Sequence, residues 1–309
     1  MTAFYAGKKA VVTGGAGFIG SHIVEALVQQ GAHVTVLDNL KTGTLDNLAA
    51  VKSNITFVEG TILDRELCIT TLANAEYVFH LAAEISVPAS MEDPYTCYQT
   101  NVMGTANLLE AARINNVQRF VFSSSCAVYG NQTEPCHELM ACNPGSPYAA
   151  SKMMGEQLCA QYSQFFNLPT ICLRYFNVFG QRQNPFGPYA GVVAQFTKRM
   201  ENNEPIIIFG DGNQSRDFVP VETVVAANLK LAYLSSELCI GSPVNIGTEK
   251  TSSVKDLFEK LKVTFPDYPH QPQFKPARSG DIVLSQANCS LLRQLLQHVS
   301  PLAKRYVAL

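Results

Sequence analysis

Tyr148 and Lys152 stand four residues apart at the start of a stretch with helical spacing, so one helix face presents both. An ammonium beside a phenol favours the phenolate and would draw the tyrosine pKa from ~10 toward neutrality. That turns a poor base into a usable one. A serine run, Ser123-Ser124-Ser125, precedes them by one strand. A hydroxyl there can hydrogen-bond a reacting hydroxyl and relay its proton. On its own a YxxxK pair usually marks a solvated helix face. Here its company gives it weight.

That company is a glycine loop. Gly14-Gly15-Ala16-Gly17-Phe18-Ile19-Gly20 joins a short apolar run to a helical one. It satisfies GxxGxxG at 14, 17 and 20 and GxGxxG at 15, 17 and 20. Glycines there permit the tight turn, the approach of a pyrophosphate to the backbone and close helix–strand packing. The helix start adds unpaired N–H groups and a positive dipole end. Asp38 ends the next strand 18 residues past Gly20. A carboxylate there accepts from the ribose hydroxyls and repels a 2′-phosphate, so NAD is expected over NADP.

The elements that must carry these residues alternate. Strands are expected at 9–13, 33–38, 55–59, 77–82, 119–123 and 170–175. Helices are expected at 18–30, 95–115 and 148–166. Near-continuous apolar strands separated by helices indicate βαβ units and a doubly wound parallel sheet covered on both faces, a Rossmann-type α/β fold. Ligands of such sheets bind beyond the strand C-termini, where the serine run and the Tyr148 helix start both belong. After residue 176 the rhythm weakens, with glycines and prolines at 177–191. A strand at 206–209, a helix at 221–234, a strand at 243–247 and a loop at 264–276 are expected. We therefore expect a cofactor domain over 1–176, with segments near 210–247 contributing, and a smaller interleaved α/β substrate lobe over 177–309.

Composition narrows the class. The 309 residues hold 23 Lys+Arg against 25 Asp+Glu, too balanced for a non-specific nucleic-acid binder. A hydrophobic share of 47% is too high for a disordered chain. There is no CxxC pair among the nine cysteines, and Cys68, Cys97, Cys126, Cys159, Cys172 and Cys239 sit among apolar residues. They read as small buried hydrophobes of a reducing compartment. No signal peptide and no apolar stretch of ~20 residues is seen, so a cytoplasmic protein without a membrane partner is expected.

TGGAGFIGSH (13–22), DNL (38–40), HLAA (80–83), NVMGT (101–105), SSSCAVYG (123–130), SPYAASK (146–152), RYFNVFGQRQNP (174–185) and GDGNQSRDFV (210–219) occur in order. In these motifs the chain resembles the extended short-chain dehydrogenase/reductase family, and most of all its nucleotide-sugar epimerases. The resemblance spans about residues 8 to 290. It implies a tightly held NAD, reduced and reoxidised within each turnover, with Tyr148 as base at the sugar 4-hydroxyl. Lys152 would tune Tyr148 and hold the nicotinamide ribose. Ser125 matches the family Ser/Thr, with Ser124 as the fallback. The cofactor lining would be Gly14, Gly17, Phe18, Ile19, Gly20, Asp38, Asn39, Leu81, Ala82, Ala83, Asn101 and Phe176. Thr61 replaces the family's adenine-binding Asp, leaving the adenine to Thr61 and Ile62.

On the substrate side, Arg216 and Arg278 match positions that clamp a diphosphate, and Asn177 matches a donor to it. The stretch Tyr189-Ala190-Gly191-Val192 resembles the uracil wrap, which implies UDP. Ser285 stands where a bulky residue excludes an N-acetyl group, and Ser86 opens a segment (86–90) similar to that of the N-acetylhexosamine branch. UDP-GlcNAc/UDP-GalNAc interconversion is thus implied first, with UDP-Glc/UDP-Gal second, since a roomy pocket need not reject a smaller sugar. Related dehydratases carry an Asp-Glu pair after the Ser/Thr and related decarboxylases a nearby glutamate. Here Cys126-Ala127 follow Ser125. Epimerase/reductases pair a cysteine with a histidine, but none lies between His137 and His270. Those three chemistries and a non-catalytic dinucleotide sensor are the alternatives. The family also implies a homodimer, through helices 95–115 and 148–166.

Overall fold

The computed structural model describes residues 4–186, 191–277 and 282–298. The first half runs β1 (Lys9–Thr13), α1 (Phe18–Gln29), β2 (His33–Asp38), β3 (Ile55–Glu59), α2 (Arg65–Thr71) and β4 (Tyr77–His80). Then come α3 (Val87–Glu92), α4 (Pro94–Tyr98), α5 (Gly104–Ile114), β5 (Arg119–Ser125), α6 (Pro147–Phe166) and β6 (Thr170–Tyr175). The later part runs β7 (Val178–Phe179), α7 (Val192–Glu201), β8 (Ile207–Phe209), β9 (Ser215–Asp217), β10 (Val219–Pro220) and α8 (Val221–Leu231). It ends with β11 (Ile240–Ile246), β12 (Thr251–Ser253), α9 (Val254–Thr264), β13 (Gln273–Lys275), β14 (Leu284–Ser285) and α10 (Ser290–His298).

Seven strands form one sheet in the order β11-β6-β5-β4-β1-β2-β3, with every pairing parallel. The chain winds outward from β1 through β2 to β3, then returns beside β1 at β4 and winds the other way. The reversal between β1 and β4 opens a crevice at their C-terminal ends. One hydrophobic core, on α1 and α8, includes fully buried Ile23, Val24, Leu27 and Val224. The other face, under α2, α5 and α6, buries Leu72, Leu108, Phe120 and Phe122. Each such aliphatic side chain contributes about 1.5–3 kcal/mol.

Local chemistry sets the bounds of the key helix. Ser146 accepts from the Ala149 N–H, Pro147 takes the first turn, and Asn167, left-handed at φ 54, ends α6. The long helix expected at 95–115 is interrupted: α4 passes into a π-helical segment, Gln99–Met103, before α5. The extra residue per turn has no compositional mark. The loop expected at 264–276 contains β13, which pairs with β8. The strand expected at 243–247 begins at Ile240 and carries a register shift before Pro243.

The later segments divide between two places. Strand β11 joins the large sheet and α8 packs on the α1 core. Strands β12, β9 and β14 form a separate small sheet, and Phe196, Ile208, Leu257 and Phe258 centre a third core. Among the described residues no helix is long and apolar enough to cross a membrane.

Candidate active site

One cavity of about 420 Å³ lies at the crevice, lined at one end by Gly14, Asp38 and Thr61 and at the other by Tyr148 and Lys152. Gly17, Phe18, Ile19, Gly20, Asn39, Ile62, Leu81, Ala82 and Ala83 also line it, as expected from the sequence. Gly14 has φ +69, and a Cβ on it would stand 2.6 Å from the Ala82 nitrogen. A Cβ on Gly20 would stand 2.2 Å from the Gly14 carbonyl oxygen. The 14, 17, 20 reading is therefore the one that faces the cavity. A Cβ on Gly15 would instead meet Val36 at 2.8 Å, so that glycine serves packing.

Helix α1 starts at Gly17 with no side-chain cap and no acid in its first turn. Its first N–H groups are thus left to a phosphate from the cavity side. Asp38 accepts from the Ala16 N–H at 2.9 Å and the Leu40 N–H at 2.8 Å, holding the glycine loop to β2. The tight turn that admits no side chain at Gly14 or Gly20, the uncapped helix start and the carboxylate at the β2 end together fit a dinucleotide.

The serine run resolves by strand alternation. Ser123 Oγ meets the Tyr175 hydroxyl at 3.0 Å, and Ser124 Oγ donates to Glu156 at 2.5 Å. Ser125 acts on the Tyr148 phenol through a side-chain hydrogen bond, whereas the fallback Ser124 lines the cavity and has its Oγ committed to Glu156. Burial pushes the Tyr148 phenol up to about 12, with the Ser125 bond working against it. This reverses the expected drop toward neutrality. The Lys152 ammonium donates to the Ser123 carbonyl at 2.8 Å and stands 6.0 Å from the Tyr148 ring centre. Burial pulls Lys152 itself down to about 8, which leaves it charged at neutral pH.

Two expected lining residues lie behind the wall. Asn101 is 2% exposed; its amide donates to the Glu84 carbonyl at 2.9 Å and Ser151 Oγ at 2.9 Å, and accepts from the Glu84 N–H at 2.7 Å. It shapes the rim instead of lining it. Phe176, 1% exposed, packs on Tyr129.

A second cavity, of about 270 Å³, gathers Asn177, Val192 and Arg216. Asn177 donates to Ser285 Oγ at 3.2 Å, and Cys126 Sγ stands 3.8 Å from the same oxygen. The expected substrate residues Asn177, Arg216, Val192, Ser285 and Cys126's neighbour Ser125 are thus clustered by the fold. Burial raises the Cys126 thiol to about 11, so it stays protonated. Ser86 Oγ caps α3 by accepting from the Ala89 N–H at 3.1 Å. Arg278, Tyr189 and Ala190 lie outside the described residues. All nine cysteines are free, and among the described residues no group of three or more His, Cys, Asp or Glu could hold a metal.

Sequence reasoning missed Ser90, whose Oγ accepts from the Tyr148 N–H at 3.1 Å and so fixes the start of α6. The only signal was its place in the 86–90 segment. It also missed Lys41 and Glu84, which form an ion pair at the cavity rim.

The family model described as the NAD dependent epimerase/dehydratase family matches residues 10–247. A UDP-glucose 4-epimerase of Mycolicibacterium smegmatis is 37% identical over 293 residues, 93% of this chain and 92% of that protein. The UDP-N-acetylglucosamine 4-epimerase of Methanobrevibacter ruminantium superposes with a TM-score of 0.89 at 37% identity, covering 97% of this chain and 95% of that one. A UDP-N-acetyl-alpha-D-glucosaminuronate decarboxylase of Bacillus cytotoxicus is 33% identical over 300 residues, 91% of this chain and 92% of that one.

Proposed function

Because the chain belongs to the NAD dependent epimerase/dehydratase family, we propose that it inverts C4 of UDP-hexoses. The favoured pair is UDP-GlcNAc and UDP-GalNAc, with UDP-Glc and UDP-Gal as further substrates. The observation that carries this reading is the single cavity that joins the glycine loop to Tyr148 and Lys152. The positions after Ser125 hold Cys126 and Ala127, so no acid stands there to eliminate water or assist decarboxylation.

Bound NAD would supply reversible hydride transfer at C4, and Gly14, Gly17, Gly20 and Asp38 would hold it. Tyr148 takes the 4-hydroxyl proton and gives it back, with Ser125 hydrogen-bonded to it. A phenol that holds its proton this tightly suits the second, donating half. Lys152 supplies the nearby positive charge that favours the phenolate in the first half. Arg216 and Asn177 hold the diphosphate, and the ketose turns over between them and the cofactor. Ser285 leaves space for a C2 substituent. A homodimer and a cytoplasmic setting go with this reading.

The test is proton NMR of the purified protein with UDP-GlcNAc, expected to show UDP-GalNAc without net NADH. Failure to invert C4 of either UDP-GlcNAc or UDP-glucose overturns the proposal. Ser285→Tyr should cut UDP-GlcNAc turnover about 10-fold or more and spare UDP-glucose. Equal loss on both sugars would refute the size argument.

A further inference from the structure

Three residues of α6 at intervals of four meet three consecutive residues of β5. Tyr148 is bonded to Ser125, Lys152 Nζ donates to the Ser123 carbonyl at 2.8 Å, and Glu156 accepts from Ser124 Oγ at 2.5 Å. The mechanism uses the first two rungs and leaves the third unassigned. Glu156 is 7% exposed, and its carboxylate also takes a two-pronged contact from Arg174, Nε at 2.8 Å and Nη2 at 2.7 Å. Arg174 lies opposite Ser124 in the β5–β6 register. One carboxylate on the helix is therefore gripped by facing residues of two adjacent strands. The Arg174 guanidinium lies 4.7 Å from the Tyr129 ring centre, and the Tyr129 hydroxyl donates to Asn245 on β11 at 2.7 Å. Burial opposes the Arg174 charge, and Glu156 more than offsets it.

We infer that Glu156, held by Arg174 and Ser124, is a positioning residue that sets the height of α6 against β5 and so the approach of Tyr148 to Ser125. This rests on the roles given to Tyr148 and Ser125 above. The Ser124 bond satisfies a lone pair of the buried carboxylate and at the same time ties it to β5. Two adjacent rungs of differing length along the strand, tied to residues four apart on the helix, allow one register only. Glu156 has an electrostatic reach as well. It faces Lys152 from one turn away, as Tyr148 does from the other side, while Cys97 on α4 and the neutral His80 on β4 face it from across the fold. The Glu156 carboxylate favours the Lys152 ammonium against burial.

The test uses the NAD-loaded protein and two variants. Glu156→Gln should lower kcat about 10- to 100-fold, the size expected for losing a hydrogen bond to a charged group, with KM and bound NAD little changed. Ser124→Ala removes one rung and leaves the ion pair, and should lower kcat about 3- to 10-fold without loss of folding. The double variant should be no slower than Glu156→Gln alone. Nitrogen-15 NMR of the Lys152 side chain should titrate at lower pH in Glu156→Gln, which reads the electrostatic reach. The carbon-13 shift of the Tyr148 ring should move in Ser124→Ala, where no charge has been removed, and this reads the register against Ser125. Folded variants with unaltered kcat overturn the inference. If Glu156→Gln does not fold, Ser124→Ala at full kcat overturns it. A wild-type protein inactive on both UDP-sugars would instead defeat the functional reading, while an unmoved Tyr148 signal in Ser124→Ala would still overturn this one.

Discussion

Gly14, Gly17, Gly20 and Asp38 reach the cofactor cavity from one strand–turn–helix–strand unit between residues 9 and 38. Asn177 and Ser285, which hydrogen-bond each other in the proposed sugar half, stand 108 positions apart. The first half hangs from buried strands of five and six residues, the second from strands of two and three. Cofactor binding is thus a local property of sequence, set by turn geometry and a helix end. The proposed sugar site is a product of tertiary assembly, in which small sheets bring distant residues together. Tyr148, Ser125 and Lys152 sit where the two meet.

The largest expected effect is at that seam. Tyr148→Phe should lower kcat by about 10²- to 10⁴-fold while bound NAD and KM hold, as NMR turnover and the absorbance of released cofactor would report. A variant near wild-type rate would place the chemistry elsewhere. Gly14→Ala comes next and probes the cofactor half alone. Its left-handed φ and the 2.6 Å approach to Ala82 predict a loss of about 2–5 kcal/mol in urea unfolding together with loss of NAD. Retention of both would show that the turn can relax. Arg216→Ala probes the sugar half, and should raise KM about 10- to 100-fold with kcat changed far less. A fall in bound NAD in that variant would mean that the halves are not separable.

The smallest effect is in pH. Lys152 titrates near 8 when folded against 10.5 unfolded. Between those values the unfolded chain binds more protons, so the Lys152 contribution to stability rises with pH. Activity should fall over the same range as the ammonium is lost. Above about 10, Tyr148, held near 12, turns the trend, because the unfolded phenol ionises first. The buried thiols, held above 9, pull the other way, so the reading is the wild-type unfolding free energy relative to Lys152→Met: a difference that is flat or falls from pH 8 to 10 would contradict this assignment.

The same contrast explains what the sequence disclosed. The ranges of β1, β2 and β6 match the expected ones because buried parallel strands read as near-continuous apolar runs, and edge strand β3 matches although it is only half-buried. The glycine loop and YxxxK were legible because their spacing is the chemistry. The two-residue strands β7, β10 and β14 were not, since two residues carry no period. Strand β13, exposed throughout and set among prolines, looks like a loop by every local signal. The tyrosine pKa was misjudged for a related reason: the YxxxK pattern showed the lysine but not the depth of burial. Ser90 and Glu156 went unnoticed because their partners lie 58 and 32 positions away.

The π-helical segment at Gln99–Met103 holds Asn101, the residue that clamps the loop after β4 at Glu84 from behind. A helix of regular pitch with one residue fewer would turn everything after it by roughly 100° about its axis. Asn101 could then no longer face Glu84 while Thr105 still reached His80, its partner at 2.9 Å. The irregular turn therefore works as a phase shifter between two ends of one rod, each tuned to a different neighbour. Chain length between β4 and β5 is fixed by that phase, and a shortened helix, however regular, would be out of step with the rim of the cofactor cavity.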